Sequence, residues 1–187
     1  NFKFFNMNIN ITKIKDLLLI ENSIIKDSRG SFQESYNKKK LEKLIKKKID
    51  FVQDNISISK NNVLRGIHYQ INNPQAKLVN VLKGSILDIA VDLRKKSKTF
   101  RRWQAFFLNE QDNKFLWIPE GFGHAFLSLK KDSQLFYKVN NFYDPKDQNV
   151  IIWNDSQLNI KWPLKKKPII SKQDLCGLKL KDAKIFK

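Results

Sequence analysis

Cysteine is nearly missing from this chain. Cys176 stands alone, so no internal disulfide and no thiolate metal cluster can form. Histidine is almost as scarce: His68 and His124 are the only two, they lie far apart, and no His-x-His occurs. A mononuclear metal site needs three or four His and carboxylate ligands, so no metal is expected. No apolar run approaches the roughly 18 residues of a membrane span. Residues 1–6 lack the longer apolar stretch and small-residue cleavage site of a secretory signal, which predicts a cytosolic location.

What is present suffices for a core. The 187 residues fit one domain spanning 1–187, and 41% hydrophobic content with 14 Phe argues against wholesale disorder. The net charge of +18 raises a nucleic-acid reading. Yet of the 36 basic residues only Arg29, Arg65, Arg94, Arg101 and Arg102 are arginine. Asn, Ile and Phe are abundant too, the signature of AT-rich codons. The expectation is a solvated lysine surface with no nucleic-acid and no membrane partner, one that still attracts a phosphate-bearing substrate.

Residues 1–20 alternate polar and apolar, suggesting an early strand, and Asp27-Ser28-Arg29-Gly30 reads as a turn before a short strand over 31–36. Apolar residues at 41, 44, 45 and 49 on a lysine background predict a helix over Lys38–Ile49. Strands are predicted over 51–59 and 63–71, with Gln53-Asp54-Asn55 interrupting the first. Lys77–Leu82, Lys83-Gly84 and Ser85–Leu93 read as a hairpin. Further short strands are predicted over 103–108, 114–118, 124–129, 135–140 and 149–153. Many short strands at this spacing predict an all-β sandwich or barrel, the jelly roll among them, with few helices.

His68 follows Arg65 in Val63-Leu64-Arg65-Gly66-Ile67-His68. An arginine fork suits phosphate, and an imidazole beside it suits a general base. Strict alternation puts the two on opposite faces; a bulge at Gly66 would bring them to one. A histidine held by a structural hydrogen bond fits the same pattern. His124 closes Pro119-Glu120-Gly121-Phe122-Gly123-His124, which resembles the second motif of cupins, double-sheet jelly rolls that often hold a metal. Lys77 opens an apolar strand, Tyr137 and Tyr143 flank an Asn-Asn turn, and Asp174 looks like a helix-start residue. Taken singly, each reads as ordinary strand or turn chemistry.

Taken together they resemble a known family. Asp27–Tyr36, Phe51–Asn55, Leu64–Gln70, Ala76–Val79, Trp117–His124, Tyr137-Lys138, Asn141–Tyr143 and Trp153–Asp155 look like the ordered motifs of the dTDP-4-dehydrorhamnose 3,5-epimerases, from about residue 15 to about 178. The resemblance implies a cofactor-free cupin-type jelly roll acting as a homodimer, with strands exchanged between subunits. It makes His68 the general base, Asp174 the carboxylate orienting it, Lys77 the partner of the C4 carbonyl oxygen and Tyr137 the acid on the opposite face. Tyr143 would pack near the nucleotide-sugar. Arg29, Glu34, Gln53, Asn55, Arg65 and His124 would hold nucleotide and sugar, some reaching across the dimer.

The residue types suit that chemistry. A C4 ketone acidifies the hydrogens on C3 and C5, so one base serves both centres, and inversion needs a proton donor on the other face. An ammonium at the enolate oxygen supplies electrostatic stabilisation. Gln148 and Gln173 depart from the Glu and Lys common in the family, which bears on substrate grip rather than proton transfer. An epimerase inverting one carbon of a related sugar, or a non-catalytic sugar-nucleotide binder, shares these motifs.

Overall fold

The computed structural model describes residues 7–187; the first six residues of the expected early strand lie outside that range. The chain opens with β1 (Met7–Ile11), β2 (Leu18–Asn22), β3 (Ile24–Asp27), β4 (Gly30–Gln33) and α1 (Lys38–Ile45). The middle holds β5 (Gln53–Ser59), β6 (Leu64–Gln70), β7 (Lys77–Lys83) and β8 (Ser85–Asp92). Then come β9 (Trp103–Asn109), β10 (Lys114–Ile118), β11 (Phe122–Ser128), β12 (Ser133–Val139), β13 (Gln148–Val150) and the one-turn α2 (Lys172–Leu175). Among the described residues no helix is long and apolar enough to cross a membrane.

Six strands form one sheet in the order β1-β2-β10-β7-β12-β5, and five form another in the order β13-β6-β11-β8-β9. From β5 to β13 the chain changes sheet at every step but one, β8 to β9. That alternation between two facing antiparallel layers is an all-β jelly roll of the cupin type. The inner core joins Val79, Val81, Leu116 and Leu135 of one sheet to Ile86, Ala90, Phe106 and Phe126 of the other. Outside, α1 covers the six-stranded sheet through Leu41 against Leu78, Phe115 and Trp117. The segment 151–180 covers the five-stranded sheet through Ile151, Leu158 and Leu180. Central strands are thus buried on both faces, which is why Ile86–Val91 is apolar at every position but Asp88 rather than alternating.

The expected hairpin over 77–93 does not form. β7 lies between β10 and β12, whereas β8 lies in the opposite sheet between β11 and β9. Gly84, at φ +78°, is the corner where the chain changes layers, and a Cβ there would stand 2.6 Å from Ser133 Oγ. A glycine turn signals reversal, and reversal within a sheet or across a sandwich leaves the same mark on the sequence. The helix also stops earlier than its spacing predicts. Asn37 caps it by accepting from the Lys40 N–H, and Lys46, left-handed at φ 54°, ends it. Ile49 is buried beyond that end, with its N–H held by Glu42. Gln53-Asp54-Asn55 does not interrupt β5 but belongs to it, Gln53 and Asn55 half-buried and Asp54 exposed.

Candidate active site

The site begins with the bulge. His68 on β6 pairs with His124 on β11, and Arg65 pairs with Phe126, so three steps on β6 oppose two on β11. The extra residue falls at Gly66–Ile67 and brings Arg65 and His68 to the same inner face. Gly66 has φ +112°, and a Cβ there would lie 2.5 Å from the His124 carbonyl oxygen, so no other residue fits.

Asp174 joins His68 from 106 positions further along, its Oδ1 standing 2.7 Å from His68 Nε2. Its Oδ2 accepts from the Gly66 N–H at 3.2 Å, tying the carboxylate to the bulge itself. Ser171 caps α2 by accepting from the Asp174 N–H at 3.0 Å, which fixes the approach. Burial pushes the Asp174 carboxyl up, but the His68 hydrogen bond and charge, the Gly66 N–H and Ser171 together hold it below its usual range. An ionised carboxylate only accepts, so His68 Nε2 carries the proton and Nδ1 is the nitrogen left to take one.

His124 has a carboxylate of its own. Its Nε2 lies 2.8 Å from Asp88 Oδ2 and 3.0 Å from Oδ1, with Asp88 fully buried and His124 nearly so. Asp88 was not singled out from the sequence. Its signal is a lone charge within the apolar strand Ser85–Val91, where burial demands a partner.

The six-stranded sheet supplies the facing wall. Lys77 opens β7 only 8% exposed, its Nζ 5.3 Å from the centroid of the Tyr137 ring. Burial lowers its pKa to about 8, with the Asp88 charge pulling the other way. Burial also raises the Tyr137 phenol, against the charge of Arg65 and with that of Tyr143. On β5, Asn55 pairs with Tyr137 and Gln53 with Val139. Gln53 donates to Asn55 Oδ1 at 2.8 Å and accepts from the Tyr143 N–H at 2.9 Å, linking Tyr143 to this wall. Arg65 donates to Ser59 Oγ and to the Ile58 carbonyl; among the described residues no carboxylate pairs with it.

Arg29 and Glu34 stand apart from this cluster. Arg29 is at the tip of the separate β3–β4 hairpin, its side chain 87% exposed and bonded to Asp27. Glu34 bonds Lys40 and Asn37 beside α1. Gln148 opens β13 opposite Gln70, and Gln173 precedes Asp174 on α2. Among the described residues no three His, Cys, Asp or Glu side chains are grouped to hold a metal ion. The charges of Asp88 and Arg65 reach across to Lys77 and Tyr137 at the mouth between the sheets. There a carboxylate-backed imidazole stands on one side and an ammonium and a phenol on the other. That arrangement can move a proton at carbon next to a polarised carbonyl.

Known proteins match this chain over nearly its whole length. A protein of Shigella flexneri named dTDP-4-dehydrorhamnose 3,5-epimerase is 43% identical over 181 residues, 96% of this chain and 99% of that one. The Salmonella typhimurium protein of the same name is 45% identical over 164 residues, 87% of this chain and 90% of its own. The crystal structure of a dTDP-6-deoxy-D-glucose-3,5-epimerase from Legionella pneumophila, in complex with dTDP-4-keto-L-rhamnose, superposes with a TM-score of 0.93. It is 40% identical and covers 96% of this chain and 95% of its own. With residues 11–182 also matching the family description, this chain belongs to the dTDP-4-dehydrorhamnose 3,5-epimerases.

Proposed function

We propose that this epimerase inverts C3 and C5 of dTDP-4-dehydro-6-deoxy-D-glucose, in the route to dTDP-L-rhamnose for cell-surface polysaccharide. The observation that carries this reading is His68 on one sheet, paired with Asp174 of α2, opposite a sheet on which Lys77 stands over the Tyr137 ring. His68 removes the proton from C3 or C5, and Asp174 supports the imidazolium that forms. The electron pair delocalises onto the C4 oxygen, where the Lys77 ammonium meets it. Tyr137 then delivers a proton to the opposite face of the carbon. Arg65, Gln53, Asn55, His124 and Tyr143 hold the nucleotide and sugar. The reaction as drawn consumes no cofactor, takes place in the cytoplasm, and needs one domain spanning 1–187.

The working unit we propose is a homodimer. The β3–β4 hairpin pairs with neither large sheet and exposes Ile24 and Phe32, and the edge strand β5 exposes Ile56 and Ile58. A second copy receiving the hairpin would cover these residues and carry Arg29 and Glu34 to its mouth.

The direct test is a proton NMR time course in D₂O with the dTDP-linked 4-keto sugar. Two exchanged centres, and dTDP-L-rhamnose on adding a rhamnose-forming reductase and NADPH, are the expected result. One exchanged centre identifies a mono-epimerase, and binding without exchange a non-catalytic protein. Mixing unfolded Arg29→Ala and His68→Ala chains and refolding them together should restore part of the activity that each lacks alone. No restoration from a refolded dimer means that the hairpin does not cross.

A further inference from the structure

Asp147 serves no step of the chemistry above, yet it is the most heavily bonded carboxylate near the mouth. It is 4% exposed. Its Oδ2 accepts from the N–H groups of Asn72 and Asn73 at 2.9 and 2.8 Å, and its Oδ1 from the Ile71 N–H at 3.2 Å. The Asn72 side-chain amide adds a bond to Oδ1 at 3.0 Å. These donors belong to the connection between β6 and β7, the strands of His68 and Lys77, while Asp147 ends the connection that follows the Tyr137 strand. Gln70 bridges the same two connections, donating to the Phe142 carbonyl at 3.2 Å and accepting from the Asp144 N–H at 2.9 Å.

Between these tethers sits Tyr143, half-exposed, beside Phe142 at 67% exposure. Burial therefore does not hold this stretch; polar bonds on either side do. The turn at 71–73 presents its N–H groups together, and a single carboxylate satisfies all three. Burial pushes the Asp147 carboxyl up, but those N–H groups and the Asn72 side-chain amide together hold it below its usual range.

We infer that Asp147 is a positioning residue for nucleotide capture, clamping the 140–147 connection to the 71–73 turn so that Tyr143 stays presented at the mouth. The inference rests on the proposal that Tyr143 packs against the nucleotide-sugar. It calls for a loss of affinity rather than of chemistry, because His68 and Asp174 are held by other elements.

The test is a double-mutant cycle between Asp147→Asn and Tyr143→Ala, read by the Kd for dTDP alone in calorimetry and by steady-state kinetics. Asp147→Asn keeps the shape but turns an acceptor into a donor facing N–H groups. We expect the Kd for dTDP and the KM to rise about tenfold, the worth of a charge-assisted bond, with kcat falling less than about twofold. In the Tyr143→Ala background the same change should leave the Kd unmoved. Equal losses in both backgrounds, or a fall in kcat at unchanged KM, would overturn the inference. If Asp147→Asn does not fold, Asn72→Ala removes one donor and leaves the backbone bonds; a Kd rise of about two- to threefold that vanishes without Tyr143 is then expected, and no rise counts against it. Because dTDP binding is read without turnover, wild-type protein that binds dTDP but leaves the sugar unchanged would refute the proposed reaction and not this clamp.

Discussion

His68 and His124 face each other across β6 and β11, each resting on its own carboxylate, yet only one of them is open. The His68 side chain is 29% exposed and the His124 side chain 7%. Both have an acid to support an imidazolium, so on the proposed mechanism it is access that assigns the base to His68. His68→Ala should abolish both deuterium uptake and inversion. His124→Asn should raise KM while uptake from D₂O stays measurable by NMR. If exchange vanishes with His124 and survives without His68, the roles are reversed.

Tyr137 should fail differently from His68. Tyr137→Phe keeps the partly buried ring beneath Lys77 and removes only the donor. The enolate still forms, and His68 can return a solvent-derived proton to the original face. Inversion should drop by about 10²–10⁴, the usual worth of a positioned acid, while exchange outlasts it. Equal losses would make Tyr137 a packing residue.

Lys77 ties activity to pH and to stability in opposite senses. With its pKa lowered to about 8, the free enzyme loses the ammonium as pH rises through that value. The value of kcat/KM should therefore fall above about pH 8, and Lys77→Arg should move that limb upward. For folding, the lowered pKa means that charging Lys77 costs stability in full below about pH 8, and the cost fades as pH climbs toward the ordinary 10.5. Lys77→Met should thus stabilise the fold at neutral pH by up to roughly 3 kcal/mol, read as a higher urea midpoint, while depressing exchange and inversion together. A lower midpoint would show that the lysine is held by more than the tool of its charge.

Gly66→Ala tests the bulge. The added Cβ meets the His124 carbonyl at a left-handed φ, so the fold should weaken by about 2–4 kcal/mol. Denaturant unfolding checks this, and an unchanged midpoint would mean that β6 accommodates the methyl by shifting.

Much of this was legible in the sequence. β9 to β12 fall within two residues of the predicted strands, because short apolar runs between turn residues carry their own boundaries. The need for a bulge at Gly66 followed from the period of a strand and the positions of Arg65 and His68. What the sequence hid was depth and distance. Lys77 looks like any solvated strand start until the opposite sheet closes over it and brings the Asp88 charge within reach. Asp88 looks like a stray charge until β11 brings His124 beside it. Asp174 sits on one helical turn that nothing local connects to β6. Gly84 marks a reversal without saying whether the chain turns beside itself or crosses to the other layer.

The tie between Asp174 and the bulge has a consequence for how the protein comes into being on the ribosome. His68 is made early, and every strand of both sheets is synthesised before its carboxylate partner emerges 106 positions later. A nascent chain can therefore have every strand of the sandwich out of the ribosome while His68 still lacks its carboxylate. On the proposed roles, His68 gains its orienting acid only when the segment carrying α2 folds back across the five-stranded sheet, so translation order sets when the pair assembles.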